Sequence, residues 1–251
     1  MSSANQPETP DQGRDGWFST THWSVILAAG NDDSPEAQEA LEKLCQTYWY
    51  PLYAYVRKQG RNPHDAQDLT QEFFARLLAR DFLQGVSPAK GKFRSFLLVS
   101  LKNFLANDWA RLQTAKRGGG EVPLSLDAEE AECRYQLDPA SGLSPEKLYD
   151  RRWAIGLLEQ AFAVLKSEFV SEDKARLFSH LKVFLEDEAD SGDYAGVAGS
   201  LGMTPNSVAV KVHRLRQRYR ELVRAEVSKT VATPDQVDEE VRELFAALAS
   251  N

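Results

Sequence analysis

Residues 194–222 read YAGVAGSLGMTPNSVAVKVHRLRQRYREL, and the punctuation of this stretch decides the fold. Tyr194, Val197, Ala198 and Leu201 space one apolar face of a short helix, and Gly202 supplies the left-handed conformation that ends a helix. Thr204 offers the hydroxyl of an N-cap, and Pro205 suits the first turn of a second helix. There Val208, Val212, Leu215, Tyr219 and Leu222 recur at helical spacing as a buried stripe. Asn206, Val210, His213, Gln217 and Arg220 project opposite, flanked by Lys211, Arg214 and Arg218 on one side and by Arg216 on the other. A short helix, a glycine turn and a longer helix form the arrangement whose second helix lies in a major groove. Its early polar residues suit base edges and its later arginines suit phosphates. An arginine-rich helix alone is more often a solvated surface helix; here turn, cap and preceding helix agree against that reading.

Outward from this segment, helical periodicity dominates and alternating β-branched runs are scarce, so the chain reads as all-α. Two helical domains are expected. Residues 1–18, polar with Pro7, Pro10, Gly13 and Gly16, read as disordered. Residues 19–117 form the first domain, where Asn62 and Pro63 mark a helix start before Ala66, Leu69, Phe73 and Leu77. Residues 118–144, rich in glycine, proline and acids, read as an acidic linker. Residues 145–225 form the second domain, opening on Ser144 as cap and Pro145 in the first turn, with Leu148, Ile155, Leu158, Phe162, Leu165 and Phe169 as an apolar stripe. Residues 226–251 read as an extension with its own helix, carried by Val237, Val241, Leu244 and Leu248 and expected to pack on the second domain.

The chain has 251 residues and a formal net charge of -7, yet its charge comes in blocks. Lys90–Arg117 carries seven basic residues against Asp108, and Thr204–Arg224 carries six against Glu221, for +6 and +5. Between and after them, Glu121–Asp150 sums to -6, Glu168–Asp193 to -5 and Glu226–Glu243 to -4. Polyanion binding depends on local potential, felt over about 10 Å at moderate salt, so the two cationic segments matter more than the total. The start of the chain has no secretory pattern and no apolar run is long enough for a membrane helix, so a cytoplasmic location without membrane association is expected. Cys45 and Cys133 are too few and too far apart for a disulfide framework or a zinc site, and His213 lacks companion ligands; no metal and no cofactor is expected.

Three stretches in order resemble the extracytoplasmic-function sigma factors of bacterial RNA polymerase. HDAQDLTQEFFARLL (64–78) is similar to the family's D-x-x-D-L-x-Q-E-x-F helix, GKFRSFLLVSLKNFLAND (91–108) resembles its promoter-melting helix, and 194–222 resembles its C-terminal helix-turn-helix. The resemblance implies a sigma region 2 domain over 19–117 and a region 4 domain over 145–225. It also implies a non-enzymatic factor, with no catalytic residue, that binds core RNA polymerase and directs promoter-specific initiation and melting. Asp65, Asp68, Gln71, Glu72 and Arg76 would dock on polymerase. Lys92, Phe93, Arg94 and Asn103, with the loop from Gln84, would bind the minus-ten element, where basic charge interleaved with aromatics suits single-stranded DNA. Asn206, Ser207, Val210, Lys211, His213, Arg214, Arg218 and Arg220 would bind the minus-thirty-five element. Phe96 stands where the family usually has Trp, and Asn107 where Asp is commoner. Regulation in such relatives implies an anti-sigma factor or a regulatory kinase, for which Thr70, Ser95 and Ser100 are placed near the expected surfaces. Two other readings remain open on the residues alone. One is a stand-alone helix-turn-helix regulator with an N-terminal sensing domain; the other is a helical enzyme using Asp65, Asp68 and Glu72, which lacks a second acidic or histidine motif.

Overall fold

The structure, a computed structural model, describes residues 22–29, 35–79, 91–112, 128–137, 142–171, 174–185 and 191–249. The expected disordered start (1–18) and the loop from Gln84 to Lys90 lie outside the described residues. Every regular element among the described residues is helical. In order they are α1 (His22–Ala29), α2 (Pro35–Lys58), α3 (Pro63–Leu77), α4 (Phe93–Leu112) and α5 (Ala128–Gln136). There follow α6 (Pro145–Ser171), α7 (Ala175–Leu181) continued by a 3-10 turn (Lys182–Leu185), α8 (Ser191–Leu201), α9 (Pro205–Ser228) and α10 (Val237–Ala249).

The starts read from sequence are built as read. Asn62 Oδ1 accepts from the Asp65 amide at 2.8 Å while its own Nδ2 donates to the Asp65 carboxylate at 2.9 Å, a reciprocal cap that satisfies one orphan donor of α3. Ser144 Oγ accepts from the Lys147 amide at 3.3 Å at the start of α6.

The buried side chains of the N-terminal and C-terminal helices form one continuous cluster, centred on α6. The α6 helix packs along α2 and also against α9 and α10. A helix packed by three others buries a wide apolar face. Accordingly Leu148, Tyr149, Trp153, Ala154, Leu157, Ala161 and Leu165 are all buried, while Ile155, Leu158 and Phe162 of the expected stripe line an apolar groove toward α9 and α10.

Part of the acidic segment expected as a linker is a docked helix. In α5, Glu132 takes hydrogen bonds from Arg57 Nε and Nη2 of α2, both at 2.8 Å, and from the Tyr53 hydroxyl at 2.5 Å. The Arg57 guanidinium, with Tyr53, holds that carboxyl down at about 2 despite partial burial.

Two helix starts are closed by the end of another helix. The His22 amide, first in α1, donates to the Lys229 carbonyl at 2.7 Å, and the Phe93 amide, first in α4, donates to the Thr230 carbonyl at 3.3 Å. Orphan donors at two N-termini thus meet orphan acceptors beyond the C-terminus of α9. Beside them the buried His22 ring pairs through Nδ1 with the Tyr48 hydroxyl at 3.1 Å. Burial, reinforced by the nearby Lys229 charge, pushes its pKa down to about 3, so the ring is neutral.

Candidate nucleic-acid interface

The helix-turn-helix is made by α8 and α9. Gly202 has φ +64°, and the Met203 and Gly202 amides bond back to the Ala198 and Gly199 carbonyls at 3.0 and 3.5 Å, the paired bonds of a Schellman end. Thr204 Oγ1 then accepts from the Ser207 amide at 3.2 Å, with Pro205 in the first turn. Val208, Val212, Leu215 and Leu222 are buried, and Tyr219 reaches the Leu158 carbonyl at 3.1 Å. These anchors turn Asn206, Ser207, Val210, His213 and Arg214 outward as exposed residues, with Lys211 half-buried beside them. The later arginines are not all free. Arg218 is held between Glu168, at 2.6 and 3.0 Å, and Glu221 at 3.0 Å, and Arg220 sits at the rim of the apolar groove, about 700 Å³, between α6, α9 and α10.

On α3, Ala66, Leu69, Thr70, Phe73, Phe74 and Leu77 face the core. Asp65, Asp68 and Glu72 are exposed on the other side, with Gln71 half-buried among them. Their visible pairs are local and solvated: His64 with Asp68 at 3.1 Å, and Arg76 with Glu72. Such pairs contribute little to stability. The hydroxyl of Thr70, placed by sequence near this surface, is instead fully buried and donates to the Ala66 carbonyl at 2.7 Å.

Arg76 also turns toward α4. Its guanidinium lies 4.9 Å from the Phe104 ring centre, and with Phe96, Val99, Ser100, Asn103 and Asn107 it borders a cavity of about 430 Å³. Asn103 is exposed there, so Arg76 and Asn103, assigned to different surfaces by sequence, share one hollow.

The start of α4 departs most from expectation. Phe93 is not a presented aromatic: it is fully buried, edge-on to Trp23 and Tyr48. Arg94 is 7% exposed, and Lys92 is largely covered. The Arg94 guanidinium is gripped by Glu240 (Nε to Oε1, 2.7 Å), Glu243 and Asp150, and lies over the Trp153 ring at 4.4 Å. Lys92 faces Glu240 at 3.0 Å, Glu239 at 3.8 Å and Glu243. The Arg94 carbonyl accepts from the buried Tyr149 hydroxyl at 2.9 Å. Burial works against both charges, but the hydrogen bonds and charges of these carboxylates outweigh it and raise the pKa of Lys92 and of Arg94. Burial also raises Asp150, against the pull of Arg94. Sequence reasoning missed this site because its partners lie as far as 149 residues away. The signal available was charge-block complementarity, +6 at Lys90–Arg117 against -4 at Glu226–Glu243.

Among the described residues no group of three or more His, Cys, Asp or Glu is arranged to hold a metal, and no helix is long and apolar enough to cross a membrane. Cys45 is buried, with its thiol pushed up to about 12 by desolvation, and Cys133 is exposed. Against known families, residues 44–114 match sigma-70 region 2. The match spans α3 and α4 together with most of α2. It identifies a sigma-factor region 2 domain, a module that interacts with DNA and RNA polymerase and is regulatory rather than catalytic. No curated protein and no solved structure matches the chain.

Proposed function

We propose, from the premise that residues 44–114 are a sigma-70 region 2 domain, that this protein is an alternative sigma subunit which recruits core RNA polymerase to particular promoters and helps to melt them. The observation that carries the reading is the division of α3: an apolar face locked into the core and an opposite face of exposed Asp65, Asp68 and Glu72 with half-buried Gln71, bound only by weak local pairs. A carboxylate face held only by local, solvated partners, Asn62, His64 and Arg76, is suited to a basic protein surface, and in this reading it docks on polymerase. The hollow bordered by Arg76, Phe96 and Asn103 offers a cation, an aromatic and an amide to an unstacked base. The exposed N-terminal turns of α9 read the upstream duplex through Asn206, Ser207, Val210, Lys211, His213 and Arg214, with Arg218 and Arg220 toward the backbone. In this division residues 19–117 and 145–225 are the two working regions, 118–144 connects them, and 226–251 is an addition to them.

Polymerase supplies the chemistry, and the chain supplies address and strand opening. Run-off transcription with purified core enzyme on a promoter library tests this directly. Promoter-dependent stimulation is expected, and it should be lost on Asp68→Lys with Glu72→Lys while duplex binding through α9 survives. Duplex binding at full strength without polymerase, together with no stimulation of transcription, would instead identify a stand-alone helix-turn-helix regulator.

A further inference from the structure

The clasp at the start of α4 joins acids of two helices to two closely spaced basic residues. Three glutamates of α10 and Asp150 of α6 converge on the two basic residues that open α4, and Glu240 among them is completely buried. Glu240 Oε1 takes the Arg94 Nε bond, whereas Oε2 stands 3.0 Å from Lys92 Nζ without hydrogen-bonding alignment. The helix carrying these acids packs on α6 and α9 through buried Val237 and Leu244, with half-buried Val241, Ala247 and Leu248 beside them, and leaves Phe245 57% exposed at the edge of the groove. Carboxylates that accept hydrogen bonds from a lysine and an arginine side by side present the same chemistry as two consecutive phosphates.

We infer that α10 is an internal competitor for nucleic acid: in the free chain Glu240 and Glu243 hold Lys92 and Arg94 in place of a DNA backbone, and region 2 engages DNA only when α10 leaves. The inference rests on the sigma-factor reading for the role of Lys92 and Arg94, while the occupation of those residues is a property of this fold. The acidic extension packs on the second domain, through α6 and α9, and it also reaches the first. The extension's acids meet the first cationic segment at Lys92 and Arg94, and they meet the basic helix α9 at Arg224, through Asp238 at 2.7 Å.

The test is binding of the full chain to a labelled single-stranded oligonucleotide, followed by fluorescence anisotropy over a range of salt. Glu240→Gln with Glu243→Gln keeps side-chain shape and removes the two carboxylates shared by Lys92 and Arg94, leaving Glu239 and Asp150 in place. It should tighten binding about tenfold and steepen the logarithmic salt dependence by about 1.4, the value for two newly contacted phosphates on a single strand. Adding Lys92→Gln and Arg94→Gln should erase the gain. Unchanged affinity in the folded double variant, or a gain that survives loss of Lys92 and Arg94, would overturn the inference. If circular dichroism shows that the double variant does not fold, Glu243→Gln alone decides. Its side chain is 40% exposed, and the proposal requires a smaller gain that Lys92→Gln removes; no gain overturns it. Run-off transcription separates this from the function itself. A chain that initiates from promoters but gains nothing from the glutamine variants keeps its function and loses the competitor. One that gains affinity through Lys92 and Arg94 yet never initiates keeps the competitor and loses the function.

Discussion

The two cationic segments carry nearly equal formal charge, +6 and +5, and the starts of their two helices sit in opposite surroundings. At the start of α4 the charge is turned inward: Lys92 and Arg94 are covered and matched by acids, and farther along the helix Lys102 meets Glu146 at 2.7 Å. At the start of α9 it is turned outward: His213 and Arg214 are exposed, and neither they nor Lys211 form an ion pair among the described residues. A basic run in sequence therefore states an inventory, and only tertiary partners decide whether that charge is available to a polyanion.

The largest effect expected from this contrast is on stability. Replacing Arg94 by Met leaves buried carboxylates without their main partner and should cost about 3–5 kcal/mol, read as a fall in the urea midpoint at constant slope. Arg214→Ala on the outward face should cost less than about 0.5 kcal/mol while weakening duplex binding. Similar small losses at both sites would dissolve the distinction. Next comes acid sensitivity at the junction where the inward segment is held. His22 is neutral in the fold, with a pKa near 3, whereas the unfolded chain takes up a proton near pH 6.5. The unfolded state thus binds more protons between these values, and stability should fall as pH is lowered through that window, on the order of 3 kcal/mol by pH 4. His22→Gln should flatten that slope in pH-dependent denaturation.

Glu132 tests whether docking of α5 is an electrostatic contact of the same inward kind. Its folded pKa lies near 2, below the ordinary value of about 4.3, so its contribution is present above that value and is lost as pH falls toward 2. Glu132→Gln should cost about 1–3 kcal/mol at neutral pH and expose α5 to limited proteolysis. The smallest effects belong to the outward segment's geometry. Gly202→Ala meets no atom within 4 Å, so its penalty is the left-handed backbone alone, about 1 kcal/mol; Thr204→Ala should cost about 1 kcal/mol by loss of the cap. Thermal melts would register both as small shifts, and duplex affinity should fall with them because the turn aims α9.

Local chemistry was legible in the sequence wherever it is decided within a few residues. Asn62, Ser144, Gly202 and Thr204 each perform the role their type and neighbours announce, and the Val208–Leu222 stripe is buried as its spacing requires. The region 2 domain was legible for a related reason, since its motif packs a divided helix face into fifteen residues. What escaped was set by distant partners. Arg94 and Glu240 are separated by 146 positions, and no periodicity connects them. Phe93 sits among basic residues that look like a DNA-binding set, yet Trp23 and Tyr48 enclose it. The helix at Ala128–Gln136 was hidden because its acids read as solvated until Arg57 is brought against Glu132. Thr70 looks accessible in sequence and is sealed by its own helix and the core.

One element joins the outward segment to the inward one. The α9 helix runs unbroken for 24 residues, about 36 Å, from the exposed Asn206 turn to the carbonyls of Lys229 and Thr230 that receive His22 and Phe93. A rod of that length is a lever: a tilt of about 5° at the reading end displaces the far end by about 3 Å. That displacement is about the length of either hydrogen bond made there, 2.7 and 3.3 Å. Under the proposed function, seating the first turns on a duplex would load, through this one helix, the joint from which α10 departs.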